Sequence, residues 1–275
     1  MSLAGEPKID CHMHVIDPAR FPYNPSVAYK PAGQEIGTPA QFDAVMAAHG
    51  VTHALIVQPN SGYGSDNSLL LDTIARGKGR FKGVAIIGFD ASMSELRDLQ
   101  AQGIVGAAFN PTFHGSDYYR DSRALIEKLA ALGMFLQLQT EHDQILPFVK
   151  WIEDIPVPTL IDHCGRPTVA KGVDAPAFQA LLKLAGTGRV SVKLSGYAKF
   201  SQGPYPFDDC MPFVRALVDA FTLDHCIWAS DWPFLRATER QDYGPLAALV
   251  ARLFPDEGDR ARLFSGTAKQ LFGFG

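Results

Sequence analysis

Two histidines one residue apart, His12 and His14, stand in the run Lys8-Ile9-Asp10-Cys11-His12-Met13-His14 near the start of the chain. On an extended strand alternate side chains share a face, so both imidazoles point one way while Cys11 and Met13 point the other. A neutral imidazole ligates a metal and a charged one donates to an oxyanion, so the pair suits a bound cation or a polarised carbonyl. An isolated His-x-His is as easily a satisfied core pair. This one gains weight from the polar residues that recur at later strand ends.

Those ends need a scaffold, and the chain supplies a regular alternation. Short apolar runs at 53–58, 84–87, 104–109, 135–139, 159–162, 190–194 and 226–230 follow the first strand, and helical segments separate them. The first helix is announced by Thr38 as N-cap with Pro39 at the first helical position, and it ends near Gly50. The others fall near 69–75, 94–102, 123–131, 145–152, 178–184, 213–220, 246–253 and 260–271. Eight strand–helix units predict a parallel sheet closed into a (β/α)8 TIM barrel, read as one domain over 1–275 with its core at about 8–272. The 275 residues, 47% of them hydrophobic, suffice for such a core. An open doubly wound sheet is the alternative, but no Gly-rich phosphate loop follows the first strand.

In a barrel the loops at the C-terminal strand ends build the site. That rule selects His12 and His14 after strand one, and Gln58, Asn60 and Ser61 after strand two. It adds Asn110 after strand four, Gln137, Gln139 and His142 after five, and His163 and Arg166 after six. Lys193, Ser195 and Tyr197 follow from strand seven and Asp231 with Trp232 from strand eight. On strand seven Val190, Val192 and Leu194 take one face, which turns Lys193 to the inner one. His114 lies in a suitable loop, whereas His49, His53 and His225 lie at helix ends or strand starts and read as structural. The proline-rich stretch 17–37 is longer than a simple connection, and such loops are often functional.

Composition narrows the partners. A formal net charge of −4 with scattered Lys and Arg gives no basic field for nucleic acid. Cys11, Cys164, Cys210 and Cys226 form no Cys-x-x-Cys pair and read as buried or reduced thiols. No apolar run approaches the ~18 residues of a membrane span and no signal-like segment opens the chain, so a cytoplasmic protein without membrane contact is expected. The oligomeric state is left open.

Taken together, Ile9-Asp10-Cys11-His12, Asp162-His163-Cys164-Gly165-Arg166-Pro167, Val192-Lys193-Leu194-Ser195-Gly196-Tyr197 and Asp231-Trp232-Pro233 resemble the amidohydrolase superfamily in its amidohydrolase-2 branch. The closer resemblance is to the 2-pyrone-4,6-dicarboxylate lactonase group, which includes sugar lactonases and a galactarolactone isomerase. It extends over about residues 9 to 272. Two departures are informative. The strand-four and strand-five ligands of two-metal members are replaced by Ala108, Asn110, Gln137 and Gln139, which argues against a two-metal site. The Arg that the resemblance leads one to expect near Ala108 is also missing, which favours a less anionic substrate.

The resemblance implies hydrolysis of a small lactone, with a sugar-acid lactone favoured over the pyrone dicarboxylate. Asp231 is the expected base, and His12, His14 and His163 are expected to polarise the carbonyl. Arg166 and Lys193 are expected to anchor a carboxylate, and Asn60, Ser61, Asn110, Ser195 and Tyr197 to hold ring substituents. The internal ion pair is the competing reading of Lys193, and a loop brace that of Arg166. No required cofactor is the favoured expectation; the alternative is a single zinc held by His12, His14, His163 and Asp231. Lactone isomerisation, zinc-dependent decarboxylation and non-catalytic sugar-acid binding are the other functions compatible with these residues.

Overall fold

The computed structural model describes Leu3 and residues 5–275. Its strands are β1 (Lys8–Met13), β2 (Val51–Val57), β3 (Phe81–Ala85), β4 (Ile104–Phe109), β5 (Phe135–Leu138), β6 (Thr159–Ile161), β7 (Val190–Leu194) and β8 (Cys226–Trp228). They form one eight-stranded sheet in the order β1 to β8, paired in parallel with helices between successive strands. This is the (β/α)8 barrel class, in which each strand lies beside its neighbours in sequence. No helix among the described residues is long and apolar enough to cross a membrane.

Local chemistry sets the helix limits. At Pro39–His49, Thr38 Oγ1 accepts from Gln41 N–H at 3.2 Å while the Gln41 side chain accepts from Thr38 N–H at 2.8 Å, and Gly50 closes the helix at φ 68°. That reciprocal capping is what the Thr-Pro start and the terminal glycine announce. Three of the differences from the sequence expectation have a clear form. β3 starts at Phe81 rather than residue 84, because Lys82 and Gly83 interrupt the apolar run. Gly83 leaves room for its neighbours, since a Cβ there would fall within 2.8 Å of the Ile74 and Ile104 Cδ1 atoms and push those side-chain ends aside. β8 stops at Trp228, short of Ser230. The last helix is divided into Glu257–Ala261, a π-helical turn at Arg262–Gly266, and Thr267–Phe272.

The chain forms two compact units. One comprises Met1–Ile86, Gln102–Val105 and Ile227–Gly275; the other comprises Ile87–Ala101 and Gly106–Cys226. In the first, the long stretch after β1 is closed at its base, where Ile16 N–H donates to Gly37 O at 2.8 Å. Tyr29 Oη donates to the Glu35 carboxylate, which also accepts from Arg236 N–H, so the stretch is pinned to the segment after β8. In the second, Phe89, Phe109, Tyr118, Tyr119 and His114 form an aromatic cluster beyond β4, with the His114 and Tyr118 rings stacked 4.5 Å apart. Burial holds His114 below the ordinary histidine range.

All four cysteines are buried and none is held in a disulfide. Burial pushes Cys164 and Cys226 up to about 12, and Cys210 higher still. Since the thiolate is the reactive form, the native protein is expected to leave a chromogenic disulfide reagent unreacted, and the denatured protein to titrate four thiols. A thiol that reacts in the native protein would contradict this burial.

Candidate active site

In the first unit the site is built where β1 meets the segment after β8. Asp231 N–H donates to His12 O at 2.8 Å, His14 N–H donates to Trp232 O at 2.8 Å, and Met13 and Trp232 form a parallel bridge. Asp231 adopts φ 64°, a left-handed conformation that an aspartate takes up only at a cost and that the flanking bonds enforce. Its Oδ1 lies 3.7 Å from His12 Nε2 and 3.6 Å from His14 Nε2. The two imidazoles stand edge to face, 4.9 Å between centroids.

His14 is oriented through its other nitrogen. Nδ1 is 2.8 Å from the Val57 carbonyl, which only accepts, so Nδ1 donates there and Nε2 is the atom turned to Asp231. Behind this group sits Asp10, completely buried. Its Oδ1 accepts from Ser230 N–H at 3.0 Å and His12 N–H at 3.2 Å, and its Oδ2 accepts from Ser230 Oγ and from Tyr243 Oη at 2.9 Å. Burial raises its pKa above the ordinary carboxylate range, while the hydrogen bonds from Ser230, His12 and Tyr243 pull it down.

The second unit carries its own polar cluster at the ends of β6 and β7. The Lys193 ammonium, fully buried, lies 3.0 Å from Asp162 Oδ1 and donates to Gln137 Oε1 at 2.6 Å, and Gln137 Nε2 donates to Asp162 Oδ2 at 3.0 Å. His163 Nδ1 and Ser195 Oγ are 3.0 Å apart. The chain then turns through four successive positive-φ residues, His163, Cys164, Gly165 and Arg166. Gly196 packs so closely on the His163 ring that a Cβ would lie 2.6 Å from it, so no other residue fits there without moving the imidazole.

Within its own unit, then, the fold brings Asp231 together with His12 and His14, His163 with Ser195, and Lys193 with Asp162. Arg166 pairs with Glu141 at 2.8 Å. Asn110 caps the short helix Pro111–His114 by accepting from Phe113 N–H at 3.1 Å. Asn60 and Ser61 open the turn after β2, which Gln58 pins by donating to the carbonyls of Gly64 and Asp66. The Tyr197 ring is buried, and its phenol lies well above its ordinary range because of that burial. His142 is exposed and contacts Thr168 Oγ1 at 2.8 Å. Sequence reasoning passed over Asp10 and Glu141. Asp10 was signalled by its spacing, since positions 10, 12 and 14 share one strand face.

The donor set of the first unit fits a divalent metal ion. One nitrogen from each of His12 and His14 and an oxygen of Asp231 lie within 4.8 Å of one another. Ligands about 2.1 Å from a tetrahedral zinc are separated by roughly 3.4 Å, close to the spacing between Asp231 and each imidazole. The Val57 carbonyl holds the His14 ring as outer partners of metal-binding histidines do.

Imidazoles and a carboxylate at the strand ends of a parallel barrel can polarise a carbonyl or phosphoryl group and accept a proton from water. A family model described as Amidohydrolase matches residues 9–274, and the chain belongs to that family. It is 31% identical over 274 residues to a 4-sulfomuconolactone hydrolase of Hydrogenophaga intermedia, spanning 96% of this chain and 88% of the relative. It is 29% identical over 297 residues to the L-fucono-1,5-lactonase of Burkholderia ambifaria, spanning 96% and 95%. A solved structure from Pseudomonas putida, provisionally named a 2-pyrone-4,6-dicarboxylic acid hydrolase, superposes with a TM-score of 0.85 at 26% identity, covering 100% of this chain and 99% of that one.

Proposed function

We propose that this chain is a lactonase, opening the ester bond of a small lactone with Asp231 as general base and His12, His14 and His163 polarising the carbonyl. Its relatives act on lactones by their names. The observation that carries the assignment of the base is the convergence of two imidazole Nε2 atoms on one Asp231 oxygen at 3.7 and 3.6 Å. Asp231 takes a proton from water as its oxygen bonds to the carbonyl carbon. The imidazoles hold the oxyanion. When the ring C–O bond breaks, the same proton passes to the departing alkoxide, and the product is a hydroxy acid that ionises. A divalent ion held by His12, His14 and Asp231 would supply Lewis-acid polarisation of the same carbonyl.

A sugar-acid lactone is the substrate class we favour. Both cations near the second cluster already face carboxylates, Arg166 facing Glu141 and Lys193 facing Asp162, which leaves less positive charge for a polyanionic substrate. Asn60 and Ser61 suit ring hydroxyls, and Arg166 suits a single carboxylate. Acid release from aldonic and aldaric lactones and from pyrone dicarboxylate, followed with a pH indicator, tests this. Faster acid release from the sugar lactones is expected. A preference for the pyrone would overturn the substrate class, and ring isomerisation without acid release would overturn hydrolysis.

A further inference from the structure

We infer that Asp10 is a positioning residue for the reaction, acting through Ser230 to fix Asp231; the inference rests on the reading of Asp231 as base. Asp231 lies in a left-handed conformation that costs a non-glycine residue free energy, so contacts around it are needed to hold the segment there. Asp10 supplies the hold from below. One of its oxygens bridges the backbone N–H groups of His12 and Ser230. The other takes Ser230 Oγ and Tyr243 Oη, and Ser230 Oγ in turn accepts from Trp232 N–H at 2.9 Å. The residues on both sides of Asp231 are thus tied to a single buried carboxylate on the strand that carries His12. Tyr243 is itself fixed by stacking on His49, 4.8 Å between centroids, and by edge contact with Trp228. Burying a carboxylate is costly, and four donors converge to offset it at this one position.

The test compares Asp10→Asn, Tyr243→Phe and Asp231→Asn with the parent, using a lactone that the parent opens. Asn keeps the shape of Asp10 and one acceptor oxygen for the two backbone donors, so Asp10→Asn is expected to retain the circular dichroism of the parent. Loss of such outer partners costs about 10–100-fold. A fall of about that size in kcat at pH 7 is expected, with KM changed by less than about threefold. The pH profile separates positioning from a merely structural defect. With Asp231 misaligned, attack depends on hydroxide, and the rate of Asp10→Asn should climb about tenfold per pH unit where the parent is level. Tyr243→Phe removes one donor and should show a weaker form of the same profile, which keeps the test valid should Asp10→Asn fail to fold. A parent-like rate and profile in both variants, with Asp231→Asn inactive, would overturn the inference alone, as would a uniform drop with an unchanged profile. Full activity in Asp231→Asn would overturn the functional reading and the inference with it.

Discussion

Replacing Asp231 with Asn is expected to lower kcat by about 10²–10⁴-fold, the range associated with a positioned general base. The amide matches the carboxylate in shape but takes no proton at neutral pH. KM should move by a few-fold at most, because the lost interaction belongs to the transition state. The fold should be retained. Asp231 is held through its N–H to His12 O, and its neighbours through His14 N–H to Trp232 O and Trp232 N–H to Ser230 Oγ. None of these bonds uses the carboxylate, so a stability change within about 1 kcal/mol is expected from a denaturant midpoint. Added zinc should not restore the rate, because the proton acceptor is gone. Steady-state kinetics with and without zinc check this, and turnover within tenfold of the parent would remove Asp231 from the role of base.

The strand ends that carry this chemistry were legible because barrels advertise them. Every apolar run but the third stops at a polar residue, and period-two alternation on β7 turned Lys193 away from Val190, Val192 and Leu194. The helix Arg123–Ala131 and strands β4 and β7 fall at their expected limits. What sequence could not supply was pairing across long separations. The Asp162–Lys193 and Glu141–Arg166 pairs join residues on different strand ends, and no local pattern matches one acid to one base. The same holds for Asp10 and Ser230, which lie 220 positions apart and meet only after β1 and the segment following β8 are side by side. The shift of β3 has another cause. Strand character there comes from the packing of Gly83 under Ile74 and Ile104, a tertiary contact that overrides the weak propensity of Lys-Gly.

Removing the Lys193 ammonium is expected to have the largest effect on stability. Lys193 and Asp162 are almost wholly shielded from water, and Gln137 bridges them. Lys193→Met leaves the Asp162 carboxylate buried without its cation, and breaking a pair in this way costs about 3–5 kcal/mol. The pair is not inherently stabilising to that extent, because two desolvated charges have nearly used up their mutual attraction. Replacing both partners, Lys193→Met with Asp162→Leu, should therefore recover much of the loss. Recovery should stop short of the parent, since the Gln137 amide then faces two apolar side chains, and an unsatisfied buried amide costs about 1–3 kcal/mol. Denaturant midpoints of the parent, the single and the double variant give the test. A double variant less stable than Lys193→Met alone would show that the pair contributes net attraction beyond its desolvation cost. Because Asp162 leads directly into the turn that presents His163 to Ser195, the single variant should also lose activity in proportion to its disorder there, whereas the double variant should keep the His163–Ser195 contact.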